Sequence, residues 1–553
     1  MTLFNGGGER NDWFVKASVI LGLVSLALGG GAGLLQLVTR TPYWPDLVNP
    51  NNTYYTVLTA HGVLLALVFT TYYIYALSVL VMERELKVKF SSRVLMASLT
   101  ITTLGVALAA IAIIAGWAKV LYTFYPPMRG HVFFYVGAAL LVIGAWIFMF
   151  EVFRVFLKWR RQNPGVSIPV PTFGILTTWI IWLVSSPPVA AEVVFLLIPM
   201  SAFGMAVDVL LARTLFWWFG HPVVYFWLVP AVALWYYLIP RITGVPLFSE
   251  RMAKVAFLLF IVASTPVGLH HQFTDPGVSP VYKFIHTVVT MVVATPSMLT
   301  AFNLLATLER AGRARGGRGL IGWLFKLPWS NPVFAGVIMA IILFGNGGVT
   351  GIINASYQLN TVVHNTVFVV GHFHTTVGGA TALTFITVTY AIIREIFGKS
   401  LAFPKLALAV PYLWAVGQYI FSIGYYVAGV AGSPRRTSDL LYGGDAPSIW
   451  IPWMQIAAIG GLIFWTAGLI FFIVLVASFL GRGGASRSGS GSEEKILDFN
   501  TPKRKNDGAT DLILDNLRFW LIVAVALIVI GYAPPLIEIF SRGLAPAPPV
   551  ATG

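Results

Sequence analysis

The stretch T-V-V-H-N-T-V-F-V-V-G-H-F-H-T-T-V-G-G, from Thr361 to Gly379, sets His364, His372 and His374 in an apolar run long enough to cross a membrane. His372 and His374 are two positions apart. At about 100° per residue, a helix turns them to nearly opposite faces, so they do not chelate one metal. They suit two separate cofactors, one on each flank. A single buried histidine is often satisfied by backbone or water. A cluster of them inside a membrane is costly and marks function by default.

The other histidines supply partners. His61 lies in L-T-A-H-G, and the adjacent His270 and His271 lie in S-T-P-V-G-L-H-H-Q-F. His221 precedes Tyr225 by four residues in W-W-F-G-H-P-V-V-Y-F-W, which puts both on one helix face. His61 and one ring of the tenth span can ligate a haem iron from both sides. Two axial imidazoles leave no open position, which suits electron transfer. Three imidazoles without a carboxylate suit copper or zinc over calcium or magnesium. Zinc is the usual ion of a soluble three-histidine hydrolase. Copper fits a site beside a haem, where electrons must move. The chain has no cysteine, which excludes disulfides, thiolate metal sites and iron–sulfur clusters.

The elements that must position these residues are membrane helices. Of 553 residues, 57% are hydrophobic and 10% charged, against about 25% charged in a soluble domain. Apolar runs recur along the whole chain, and no strand-like alternation is present. The expected fold is all-α and polytopic, with thirteen spans near 13–38, 56–81, 93–118, 132–157, 171–199, 213–239, 253–273, 282–308, 333–353, 363–395, 404–430, 450–480 and 517–541. Pro187 and Pro188 should kink the fifth. Residues 1–553 form one catalytic transmembrane domain, with a flexible Gly/Ser-rich linker near 481–505. No cleavable signal peptide is evident.

The formal charge of +15 invites a nucleic-acid partner, but the topology explains it better. Roughly 28 of the 36 basic residues fall in alternate loops. That places the N-terminus in the cytoplasm and the C-terminus outside. No nucleic acid is expected; the partner is a lipid bilayer, the inner membrane of a prokaryotic cell.

Over nearly its whole length the sequence resembles subunit I of the haem–copper terminal oxidases. L-Y-T-F-Y-P-P, R-T-L-F-W-W-F-G-H-P, S-T-P-V-G-L-H-H-Q-F and V-V-H-N-T are similar to the B-type, or ba3-type, group. The resemblance implies that His61 and His374 are axial ligands of a low-spin haem of b type. His372 would be the proximal ligand of a high-spin haem of a type. His221, His270 and His271 would hold copper, with Tyr225 covalently joined to His221. Reducing O2 to two waters takes four electrons and four protons, and a phenol beside the copper can give one of each. Arg435 and Arg436, in G-S-P-R-R-T-S, match an arginine pair for haem propionates. His364 and Asn365 match a polar patch beside it, and Tyr122 a residue near the haem's alkyl tail.

Val223 stands where the largest oxidase group has a glutamate, so one proton channel should be missing. The remaining channel would run past Tyr236, Ser297, Thr300 and Asn303. Here Asn303 replaces a threonine and Val232 a tyrosine, and valine cannot relay a proton. Asn360 replaces an aspartate near the propionates. Electrons would enter from a cytochrome c-type donor through a subunit II carrying a two-copper centre. A small single-span subunit is compatible with this assembly. Two other readings compete. A nitric oxide reductase would place glutamates by the metal and lack the linked tyrosine. A permease would need no opposed histidines.

Overall fold

The computed structural model describes residues 11–40, 50–438, 447–481 and 495–551. Among them, twelve helices are long and apolar enough to cross a membrane: Asp12–Thr39, Thr53–Leu86, Ser92–Ile114, Val132–Gln162, Val170–Phe203, Val209–Thr243, Pro280–Ala314, Pro332–Ala355, Val367–Glu395, Pro404–Val430, Ile451–Phe479 and Leu517–Ser541. Helices suit this setting because each satisfies its backbone polar groups within one segment. The seventh expected span, 253–273, is different. Its helix, Glu250–Ser264, has 15 residues, and a 3₁₀ turn, Gly268–Gln272, follows it. Pro266 lacks an N–H and stops the α-helix short. Counting this shorter helix, the segments number thirteen in chain order.

Close packing comes from small residues. A Cβ on Gly105 or on Gly137 would lie 2.5 Å from the other's carbonyl oxygen, so the third and fourth segments meet backbone to backbone. Gly417 and Gly460 do the same for the eleventh and twelfth. The second segment is buried at every position from Thr70 to Leu86.

Among the described residues, three π-helical turns interrupt the long helices, and two adjoin expected ligands. Val63–Phe69 follows His61 closely, and His374–Ala382 begins on a histidine. The third, Val193–Leu197, follows the helix that contains Pro187 and Pro188.

The stretch read as a linker lies outside the described residues from 482 to 494. Its remainder is docked on the body. Glu395 accepts from the backbone of Ile496 and Leu497. Phe499 stacks on Tyr237 at 4.2 Å, and Thr501 donates to Glu85 at 2.6 Å.

Candidate metal centre

Two of the expected ligands face each other across the bundle. The His61 and His374 rings are nearly parallel, 13° apart in plane, with centroids 6.0 Å apart. Each Nδ1 lies against a backbone carbonyl: Gly29 O for His61 at 2.9 Å and Val370 O for His374 at 2.8 Å. A carbonyl only accepts, so each Nδ1 carries the proton and each Nε2 is left as a lone pair. Gly33 leaves room at the Cε1–Nδ1 edge of His61; a Cβ there would sit 2.8 Å from both atoms. Gln418 donates to the His374 carbonyl oxygen.

His372 is set by a hydroxyl. Thr350 Oγ1 lies 3.0 Å from its Nδ1 and 3.1 Å from each of the Asn346 and Gly347 carbonyls. The hydroxyl has one proton, which it gives to those carbonyls, so it accepts from His372. Again Nε2 is left free. Phe373, between the two histidines, packs on Tyr122 at 5.9 Å and against Trp227 at 6.1 Å. The two imidazoles thus leave one helix in different directions, as their spacing requires.

The third cluster converges. His221, His270 and His271 offer one nitrogen each within 4.8 Å of one another, and the group contains no carboxylate. His270 Nδ1 lies 3.0 Å from Thr290 Oγ1, and that hydroxyl donates to the His286 carbonyl. It therefore accepts from His270, whose Nε2 stays free. His271 stacks on Trp217 at 4.0 Å, and its Nε2 lies 3.4 Å from His221 Nδ1. His221 Nε2 is buried without a partner. Tyr225 lies against the same ring, centroids 5.0 Å apart.

Local chain breaks aim these rings. His221 occupies the junction of Val209–Gly220 and Pro222–Thr243, where Pro222 cannot donate backward. The histidine pair rides on the 3₁₀ turn. Gly268 is required there, because a Cβ would come within 1.9 Å of the Trp217 carbonyl oxygen. Its N–H donates to Tyr532 Oη at 2.7 Å, so the thirteenth segment pins the turn.

Arg435 and Arg436 lie in the loop after the eleventh segment. Arg435 donates to Asn365 through its backbone at 2.9 Å and its side chain at 3.2 Å. Arg40 holds the loop by donating to Pro434 O at 2.6 Å and Thr437 O at 2.8 Å. Arg435 Nε and Arg436 Nη2 are buried without partners. Burial, then the adjacent Arg436, pull Arg435 down to about 10. That is the behaviour of a cation short of an anion. His364 Nδ1 lies 3.0 Å from Asn360 Oδ1, beside this patch.

The expected proton-path residues are only partly brought together. Tyr236 donates to Thr300 Oγ1 at 2.8 Å, and Thr300 donates to Pro296 O at 2.8 Å. Ser297 is half-buried and makes no side-chain hydrogen bond to either. Asn303 meets the Tyr236 side chain as well, while it accepts from Ser249 N at 3.0 Å and donates to Ser249 O at 2.8 Å. Val232, one turn before Tyr236, is fully buried. Sequence reasoning missed Gly29, Thr290, Thr350 and Trp217. Nothing local distinguishes them, since each meets its histidine from another segment.

The donor set fits two haems and a copper. The hydrogen-bond partners of His61, His270, His372 and His374 assign all four one tautomer with Nε2 available, and unpartnered arginine nitrogens lie on the loop near His271 and His364. The fold and this site define the catalytic subunit of a haem–copper terminal oxidase. The family profile for Cytochrome C and Quinol oxidase polypeptide I matches residues 14–463, and the chain belongs to that family. It is 39% identical over 539 residues to cytochrome c oxidase subunit 1 of Thermus thermophilus, covering 96% of this chain and 95% of that one. The haem-copper oxidase subunit I+III of Aeropyrum pernix is 24% identical, over 88% of this chain and 59% of its own length. A solved haem-copper terminal oxidase dimer superposes with a TM-score of 0.90 at 36% identity, over 98% of this chain and 95% of that one.

Proposed function

We propose that His61 and His374 hold a low-spin haem of b type, that His372 holds a high-spin haem of a type, and that His221, His270 and His271 hold the copper beside it. Bound there, the two irons and the copper supply electrons that reduce dioxygen to water. The observation that carries this reading is an acceptor oxygen 2.8–3.0 Å from Nδ1 of four rings, which assigns the proton to Nδ1 and leaves Nε2 for a metal. The protein's own part is to orient these rings, hold protons and exclude water.

Tyr225 gives one proton and one electron together from its place against His221. Tyr236 and Thr300 bring protons toward it from the cytoplasmic side. The two tyrosines are eleven residues apart on nearly continuous helix, about 16 Å at 1.5 Å per residue. Val232 lies in that gap and cannot relay, so water completes the route. Asn303 meets Tyr236 on this route and also fastens Ser249, and Ser297 stands at its edge. Arg435 and Arg436 bind propionates, with Nε and Nη2 as the free donors.

Electrons enter through a subunit II with a two-copper centre, fed by a cytochrome c-type donor, since this chain lacks cysteine. The ba3-type motifs support a proton-translocating enzyme of that group. The basic loops support a cytoplasmic N-terminus and an external C-terminus in a prokaryotic membrane. The test is Tyr225→Phe in the purified complex. Both haem spectra and the copper count should stay unchanged while oxygen consumption falls about 10²-fold or more. Full turnover would overturn the assignment.

A further inference from the structure

The fourth segment ends in a basic face that the oxygen chemistry does not use. Arg154, Leu157, Lys158, Arg161 and Gln162 line an open cleft of about 430 Å³. Their spacing places them on one side of the helix. Arg154 is neutralised, since it grips the buried Glu151 through two hydrogen bonds of 2.6 Å. Ser91 N also donates to Glu151. Among the described residues, Lys158 and Arg161 meet no acceptor. The cleft therefore carries two uncompensated positive charges. Past the end of the same helix, Lys503 donates to Asn163 Oδ1 at 2.9 Å.

Directly below, the same face is apolar and open: Phe150 is 60% exposed and Leu157 53%. A cation pair above an exposed apolar surface, at a membrane helix end, matches a phosphate group with acyl chains attached. It does not match a soluble anion, which would gain nothing from Phe150 and Leu157. Nor does it match a zwitterionic headgroup, whose own ammonium would face Lys158 and Arg161.

We propose that this cleft binds the phosphodiester headgroup of an acidic phospholipid, with Lys158 and Arg161 as its ligands. The acyl chains lie along Leu157 and Phe150, and the Arg154–Glu151 pair fixes the floor. The site is remote from the metal ligands in sequence and shares no residue with them.

The test is native mass spectrometry of the purified oxidase complex after delipidation, titrated with tetraoleoyl cardiolipin, dioleoyl phosphatidylglycerol, dioleoyl phosphatidylcholine or inorganic phosphate. The wild type should retain an acidic lipid, and neither phosphatidylcholine nor phosphate should displace it. The double variant Lys158→Gln/Arg161→Gln should bind about 30-fold more weakly, from about 1 kcal/mol per surface cation. The charge-keeping variant Lys158→Arg/Arg161→Lys should bind like the wild type. Haem absorbance in phosphatidylcholine, equal for all three, shows that folding is intact. Equal acidic-lipid affinity in the Gln variant, or displacement by phosphate alone, would overturn the proposal.

Discussion

The paired rings of His61 and His374 and the clustered rings of His221, His270 and His271 are built by opposite means. The pair comes from long helices, and its acceptors are backbone carbonyls at Gly29 and Val370. The cluster comes from a helix break and a 3₁₀ turn, and a side chain from another segment, Thr290, anchors one of its rings. Backbone anchors hold the two rings nearly parallel, an arrangement that would suit a six-coordinate electron carrier. Breaks let three rings converge while Tyr225 stays in contact, as a reacting centre needs. His372 stands between the two designs, on the long helix but tuned by the Thr350 hydroxyl.

This contrast can be broken at several points. The largest effect belongs to Gly268→Ala, whose Cβ would meet the Trp217 carbonyl at 1.9 Å. Metal analysis should find copper lost, by more than about a hundredfold in affinity, while the spectrum of the paired-ring haem survives. Next comes His374→Ala. A pyridine haemochrome assay should show one haem gone with copper retained, and loss of both would mean the two centres are not separately built. Thr290→Val and Thr350→Val should each cost about 10- to 100-fold in metal affinity or turnover. The first should act on copper and the second on the His372 haem, which copper titration and ligand-binding spectra can separate. No side-chain substitution can remove the acceptors of the paired rings, so the cluster should prove the more mutable of the two. The smallest effect is expected from Asn303→Ala. Losing its bonds to Ser249 should cost about 1–2 kcal/mol of stability, read as a lower thermal midpoint, and losing its contact with Tyr236 should lower turnover only slightly.

Much of this arrangement was legible because lipid imposes simple rules. Apolar length gave the spans, and histidines in them had to have a purpose. The two-residue offset of His372 and His374 predicted their divergence, and the four-residue offset of His221 and Tyr225 predicted their contact. Apolar length carried the seventh span past the end of its α-helix at Ser264; Pro266 and Gly268 marked that end within the same stretch. Asn303 was placed on the path by position; its bonds to Ser249, from a neighbouring segment, were not legible beside its contact with Tyr236. Thr290, Thr350 and Gly29 were invisible for the same reason: their roles exist only once distant helices meet. The packing of Leu497 and Phe499 was hidden too, because a Gly/Ser-rich run beside them reads as a loop.

The most direct test counts the metals and porphyrins in the purified complex. After allowing for copper on a second subunit, each copy of this chain should carry two haem irons and one copper, with one haem six-coordinate and the other open to carbon monoxide. Iron without copper in this chain, or a single haem, would contradict the account.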